Sequence, residues 1–174
     1  MLARPKVLIF ALAAGYGLAA LGCSEQAVTI RSCELAELCT QVTVERVTAT
    51  CGTSATTAIF DRFADGSNTL DTCSYTGPTG EAFWIMRGCF QLSSSAAIVY
   101  SGAHDDTSSP DYVREDVAGL GDRAFFRHSA EMMRAQLLVL AGNLFVDVSN
   151  SELSDTTTAK SCMMTIANDV LAAQ

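Results

Sequence analysis

The sequence predicts an α+β domain: an antiparallel sheet of about five strands, with an N-terminal and a C-terminal helix packed on one face and disulfides stapling the layers. Three observations lead there. Turn signals at Gly77-Pro78-Thr79-Gly80 and Gly142-Asn143 separate short apolar runs, as β-hairpins require. Helical periodicity is confined to the two ends and one central stretch, so helices and strands are segregated. Six of the cysteines are spread over residues 33–162, far enough apart to cross-link distant elements.

In chain order, residues 33–51 place Leu35, Leu38, Cys39, Val42 and Val47 near helical spacing, with Gly52 as a stop. The threonines there weaken the helix, being better suited to strands. Residues 53–69 are ambiguous, with Ile59, Phe60 and Phe63 as the strong apolar anchors. A hairpin follows, residues 72–75 against 82–86, extendable through Cys89 and Phe90. Residues 93–102 form a short helix after a serine cluster, and residues 104–110 form a polar loop. Ala124-Phe125-Phe126 is a strand behind the turn at Gly119-Leu120-Gly121-Asp122. Residues 136–140 and 144–148 pair across Gly142-Asn143, with one buried and one partly wet face. The last helix starts at Ser154 or Asp155 and carries an apolar stripe: Ala159, Cys162, Met163, Ile166, Ala167, Val170 and Leu171.

Length and charge bound the function. The 174 residues fit one domain, and 17% charged residues are too few for a charge-driven disordered chain. Lys and Arg number 11 against 19 acidic groups and do not cluster, which excludes nucleic acid as a partner. The N-terminus has the layout of a secretory signal. Arg4 and Lys6 precede an uncharged apolar run over residues 7–21, followed by Gly22 and Cys23. Fifteen residues are too short to cross ~30 Å of hydrocarbon comfortably.

Ala20-Leu21-Gly22-Cys23 resembles the bacterial lipobox, in which the cysteine is diacylated and the leader is cut away just before it. Lipoboxes usually carry Leu where this chain has Ala20. On that reading residues 1–22 are a signal peptide, residues 23–32 a short tether, and residues 33–174 one globular domain. Cys23 is then the lipidation site, with a palmitate-type acyl chain on its thioether or amino terminus. The chain sits in the bacterial cell envelope, held by lipid to a membrane and facing the periplasm or exterior. Two or three acyl chains anchor durably where one does not. Without Arg4 and Lys6 the mature chain from Cys23 keeps 9 basic against 19 acidic groups, a formal charge of −10, so anionic headgroups repel it.

Cysteine arithmetic agrees. Seven is an odd number for an exported protein. With Cys23 assigned to lipid, Cys33, Cys39, Cys51, Cys73, Cys89 and Cys162 are six disulfide candidates. Fifteen connectivities are open to them. No C-x-x-C occurs, which disfavours both a structural metal and a redox dithiol.

No catalytic set assembles in the sequence. A G-x-S-x-G motif is absent, and His104 and His128 are the two histidines. His104-Asp105-Asp106 and Glu115-Asp116 fit solvated surface acids better than an ion site. Met132-Met133 and Met163-Met164 fit core gap-filling better than copper binding. Gly119-Leu120-Gly121-Asp122 lacks the further residues of a phosphate loop and is a tight turn. No cofactor and no metal are expected.

Residues 117–125, Val-Ala-Gly-Leu-Gly-Asp-Arg-Ala-Phe, resemble a recurring feature of small bacterial lipoproteins of unknown function. In those, a Gly-x-Gly-Asp-x-Ala turn precedes strands, a Gly-Asn hairpin and a final helix. Cys73-Ser74-Tyr75 and the leading helix near Gly52 are similar too. The order of elements resembles actinobacterial lipoproteins and, distantly, the extracellular sensor domain of a receptor kinase. Six body cysteines exceed the four or fewer usual there. The resemblance implies no catalytic residues and a binding or sensing role toward an unknown protein or small ligand. The alternative is an exported hydrolase using Asp105, Asp106 and Glu131 with a histidine.

Overall fold

The computed structural model describes residues 32–66, 68–106, 112–129, 131, 133–151 and 155–174. Residues 1–31, which include Cys23 and the segments expected as signal peptide and tether, lie outside the described residues, as do Pro110, Met132 and Ser154. The fold is α+β, and its sheet is larger than the sequence predicts. Seven strands run in the order β1-β2-β3-β7-β6-β5-β4, every neighbouring pair antiparallel. They are β1 (Thr57–Asp65), β2 (Asn68–Gly77), β3 (Gly80–Cys89), β4 (Val113–Asp116), β5 (Arg123–Ser129), β6 (Arg134–Ala141) and β7 (Leu144–Asn150). The two strands beyond the expected five are β1, from the ambiguous stretch, and β4. Both are edge strands, where one pairing partner is enough and the apolar alternation is weak.

Among the described residues there are four helices: α1 (Leu38–Gln41), α2 (Val44–Cys51), α3 (Ser93–Asp105) and α4 (Thr156–Ala172). The N-terminal helix expected over residues 33–51 is thus two pieces. Thr43 ends the first by capping the second, its side chain accepting from Arg46 N at 3.3 Å. Gly52 closes α2 at φ 65°, a left-handed position that costs glycine little. Asp155 caps α4, accepting from Thr157 N and Thr158 N. α3 extends through His104 and Asp105, where a loop was expected.

Helices cover both faces of the sheet, which corrects the one-sided arrangement. α1, α2 and α4 pack on one face over Cys73, Tyr75, Ile85, Leu137, Val139 and Val148, with Met163, Ile166 and Val170 pointing inward. On the other face, Ala96 and Tyr100 of α3 cover Phe125, Leu138, Leu140 and Phe145. β7 is consequently buried along its whole length, on both sides, where one wet face was expected.

All six body cysteines are paired: Cys33–Cys89, Cys39–Cys73 and Cys51–Cys162. The first ties the incoming chain to the end of β3, the second ties α1 to β2, and the third ties α2 to α4. Arg46 adds an exposed ion pair from α2 to Asp169 on α4 at 2.7 Å.

The Gly-x-Gly-Asp segment is a structural clasp. Gly121 stands at φ 61°, and a Cβ there would come within 2.5 Å of Leu140 O. Asp122 accepts from Gly142 N at 2.6 Å and donates its own N–H to Leu140 O at 2.7 Å. The two turns that the sequence marks separately therefore lock together, as the tight-turn reading requires.

Candidate functional site

Two buried charged clusters and one uncovered surface stand out from this frame. The first cluster spans three strands. Register places Arg62, Asp71 and Arg87 side by side on β1, β2 and β3. Arg62 donates to Asp71 Oδ1 at 2.6 Å and Oδ2 at 2.9 Å, while Arg87 donates to Asp71 Oδ2. The two guanidiniums also hold the N-terminal segment, through Leu35 O at 3.0 Å, Ala36 O at 2.7 Å and Gln41 Oε1 at 2.6 Å. Asp71 and Arg87 are wholly buried. Burial alone would raise the Asp71 carboxyl, but the bonds from Arg62 and Arg87 outweigh it and hold the group below the usual range. The cluster is a strap lock, closed to any ligand.

The second cluster lies on the α3 face. Asp147 of β7 accepts from Ser149 Oγ at 2.8 Å and from Gln136 Nε2 at 2.6 Å. Gln136 Oε1 in turn accepts from Arg127 Nε at 2.5 Å. Burial pushes the Asp147 carboxyl up to about 6, opposed by the two hydrogen bonds and the Arg127 charge. A folded-state value above the unfolded one means that the native state holds the proton more tightly. The stabilisation from protonation is full below about pH 4 and is lost as pH rises through about 6, an effect of ~3 kcal/mol. Asp147→Asn keeps the shape and removes the charge; its amide can donate to Ser149 while its oxygen accepts from Gln136. The variant is expected to unfold at a higher temperature than the parent at pH 7.5 and to equal it near pH 4. A variant less stable at both values would contradict this account.

Among the described residues no helix covers the β1–β3 half of the α3 face, beside α3. Three rows cross it by register: Ile59–Ser74–Trp84, Asp61–Thr72–Met86 and Phe63–Leu70–Gly88. Ile59 is 62% exposed, Phe63 66% and Leu70 37%, while Trp84 and Met86 are half-buried. Phe90 folds back over the last row, its ring lying where a Cβ on Gly88 would come within 2.9 Å. Phe63, Leu70 and Phe90, with Asp65, Asn68 and Thr69, line a shallow hollow of about 240 Å³. The exposed Asp61 and the half-buried Thr72 and Ser74 stand among these apolar side chains.

Of the residues weighed for an enzyme, His104 and Asp105 meet, and His128 stands on the other face of the sheet. His104 on α3 stacks on Tyr100 and meets the edge of Phe125, with Asp105 Oδ1 at 2.8 Å and Asp116 Oδ1 at 3.8 Å. His128 projects from the opposite face of the sheet, against Phe126. Asp106 follows α3 near Arg127, at 3.9 Å, and Glu131 lies in the turn between β5 and β6. Glu115 is exposed and pairs with Lys160 at 3.1 Å. Met163 is core, and Met133 is an exposed turn residue at φ 47°, so the core-filling expectation fails for Met133. Among the described residues no group of three or more His, Cys, Asp or Glu side chains could hold a metal.

Both buried clusters escaped the sequence reading. Their signal was a carboxylate in the middle of a strand, Asp147 within Leu-Phe-Val-Asp-Val and Asp71 within Asn-Thr-Leu-Asp-Thr-Cys. Alternation assigns such a residue to the wet face. The chain matches no protein-family model and no curated protein.

Proposed function

We propose that the protein is a lipid-anchored envelope module, held by acyl chains on Cys23, that binds a partner or small ligand through the bare β1–β3 sheet face and catalyses nothing. The exposed strip led by Ile59 and Trp84 carries this reading. It is shallow, largely apolar and backed across the sheet by α1, as suits a recognition surface better than a reaction centre. The anchor finds support in the cysteine count. Three disulfides use the six other cysteines, and Cys23 alone is left without a partner in that scheme.

Growth with a radiolabelled fatty acid tests the anchor. Label is expected in the parent and absent in Cys23→Ser, which is then released from the membrane fraction. An unlabelled, soluble parent would sink the lipoprotein reading. A photo-crosslinking residue at Ile59 tests the surface in the intact envelope. Adducts are expected there and not at Val113, which is 60% exposed on the opposite edge strand. Equal adducts at both positions would remove the bare face from consideration.

A further inference from the structure

The tether and the apolar hollow meet at the same end of the sheet. Cys33, the second described residue, is bonded to Cys89 at the last position of β3. Its sulfur lies 3.8 Å from Phe90 O. Asn143 seals the junction, donating from Nδ2 to Phe90 O at 2.7 Å and accepting from Phe90 N at 3.0 Å. At Cys33 the chain therefore joins the end of β3 on the α1 face, beside the Phe90 backbone, while the Phe90 ring lies across the sheet in the hollow with Phe63 and Leu70. Leu92, 59% exposed at the start of α3, follows two residues later. Ile59 and Trp84 sit toward the other end, in the row that continues to Ser149 and Gln136.

We infer that the rim formed by Phe63, Leu70, Phe90 and Leu92 docks on the bilayer surface to which the lipid on Cys23 attaches, leaving the Ile59–Trp84 end facing away. The inference rests on the lipid-anchor reading. Nine residues, 24–32, separate Cys23 from Cys33, so the two lie at most roughly 35 Å apart and the end of the sheet that carries the rim stays within that reach of the anchor. A short tether presents the rim to lipid at an effective concentration of about millimolar, so weak intrinsic affinity is enough to hold it. Large apolar side chains at the headgroup–acyl boundary are the chemistry of interfacial binding. The mature chain's formal charge of −10 cannot contribute attraction to anionic lipid, so the partner surface is a neutral one.

The experiment uses the mature protein purified from membranes and reconstituted in phosphatidylcholine vesicles carrying brominated acyl chains. Its mass first reports whether Cys23 carries lipid; an unmodified mass refutes the anchor itself, and docking with it. With lipid present, tryptophan emission is compared in Phe63→Trp and Val113→Trp, each with Trp84→Phe. Phe63→Trp is expected to be quenched at least twofold more than Val113→Trp, and adding Leu70→Ser and Leu92→Ser should abolish the difference. Equal quenching in a lipidated protein would overturn the docking while leaving the anchor intact. So would a dimer in vesicles that these rim substitutions dissolve, since the rim would then meet a second copy. Circular dichroism of each variant separates loss of docking from loss of fold, and Leu92→Ser alone, at an exposed position, supplies a variant in which folding is not at stake.

Discussion

Asp71→Ala is expected to lower the unfolding free energy by about 3–5 kcal/mol, the largest single-site effect in the molecule. The substitution leaves the fully buried Arg87 guanidinium without a carboxylate, and it frees Arg62 from the bonds that aim it at Leu35 O. Arg87→Met should cost less, because Arg62 still neutralises Asp71. The double variant Asp71→Leu with Arg87→Met should recover part of the loss, since apolar residues of similar volume need no partner. Urea midpoints at constant slope would measure all three. An Asp71→Ala protein within 1 kcal/mol of the parent would show that the lock is dispensable. The same carboxylate sets the acid limit of the fold. Its folded-state value is depressed, so its contribution is present above the normal aspartate range and lost as pH falls below it. Asp147 acts in the opposite sense, so maximum stability is expected between about pH 4 and 6.

Removing Cys51–Cys162 as a pair of alanines is the second large effect. That bridge closes 111 residues, and loop-closure entropy puts its worth at about 4–5 kcal/mol. The bridges Cys33–Cys89 and Cys39–Cys73 close 56 and 34 residues. The dependence is logarithmic, so the longest should exceed the shortest by only about 1 kcal/mol. Melting of the three alanine-pair variants at pH 7 would rank them. A variant lacking Cys39 and Cys73 that melts below the one lacking Cys51 and Cys162 would show that local strain or packing, not chain entropy, governs the cross-links. Cys33–Cys89 has a second consequence, because its loss would free the tether from the rim and blunt any docking that depends on their proximity.

Much of the frame was legible. The Gly142-Asn143 hairpin, the 77–80 turn and the α4 stripe all appear where the sequence places them, because each is a local pattern with a local cause. β1 and β4 were not legible. Strand β1 alternates Ile59, Asp61 and Phe63 on a face where all three are exposed, so its pattern resembles no buried strand. β7 was placed correctly but assigned the wrong burial, since Asp147 and Ser149 look wet until α3 is laid over them. The two histidines, His104 and His128, lie on opposite faces of the sheet.

Composition and spacing were enough to indicate an antiparallel α+β body with six cysteines available for pairing. Tertiary structure alone decided which cysteines join, that helices occupy both faces, and that no described helix covers the half of the sheet beside α3. The reason is physical. Periodicity records whether a side chain has an apolar side, whereas the covering element arrives from tens of residues away. Whether a carboxylate in a strand meets water, an arginine or a helix is settled only when that element docks.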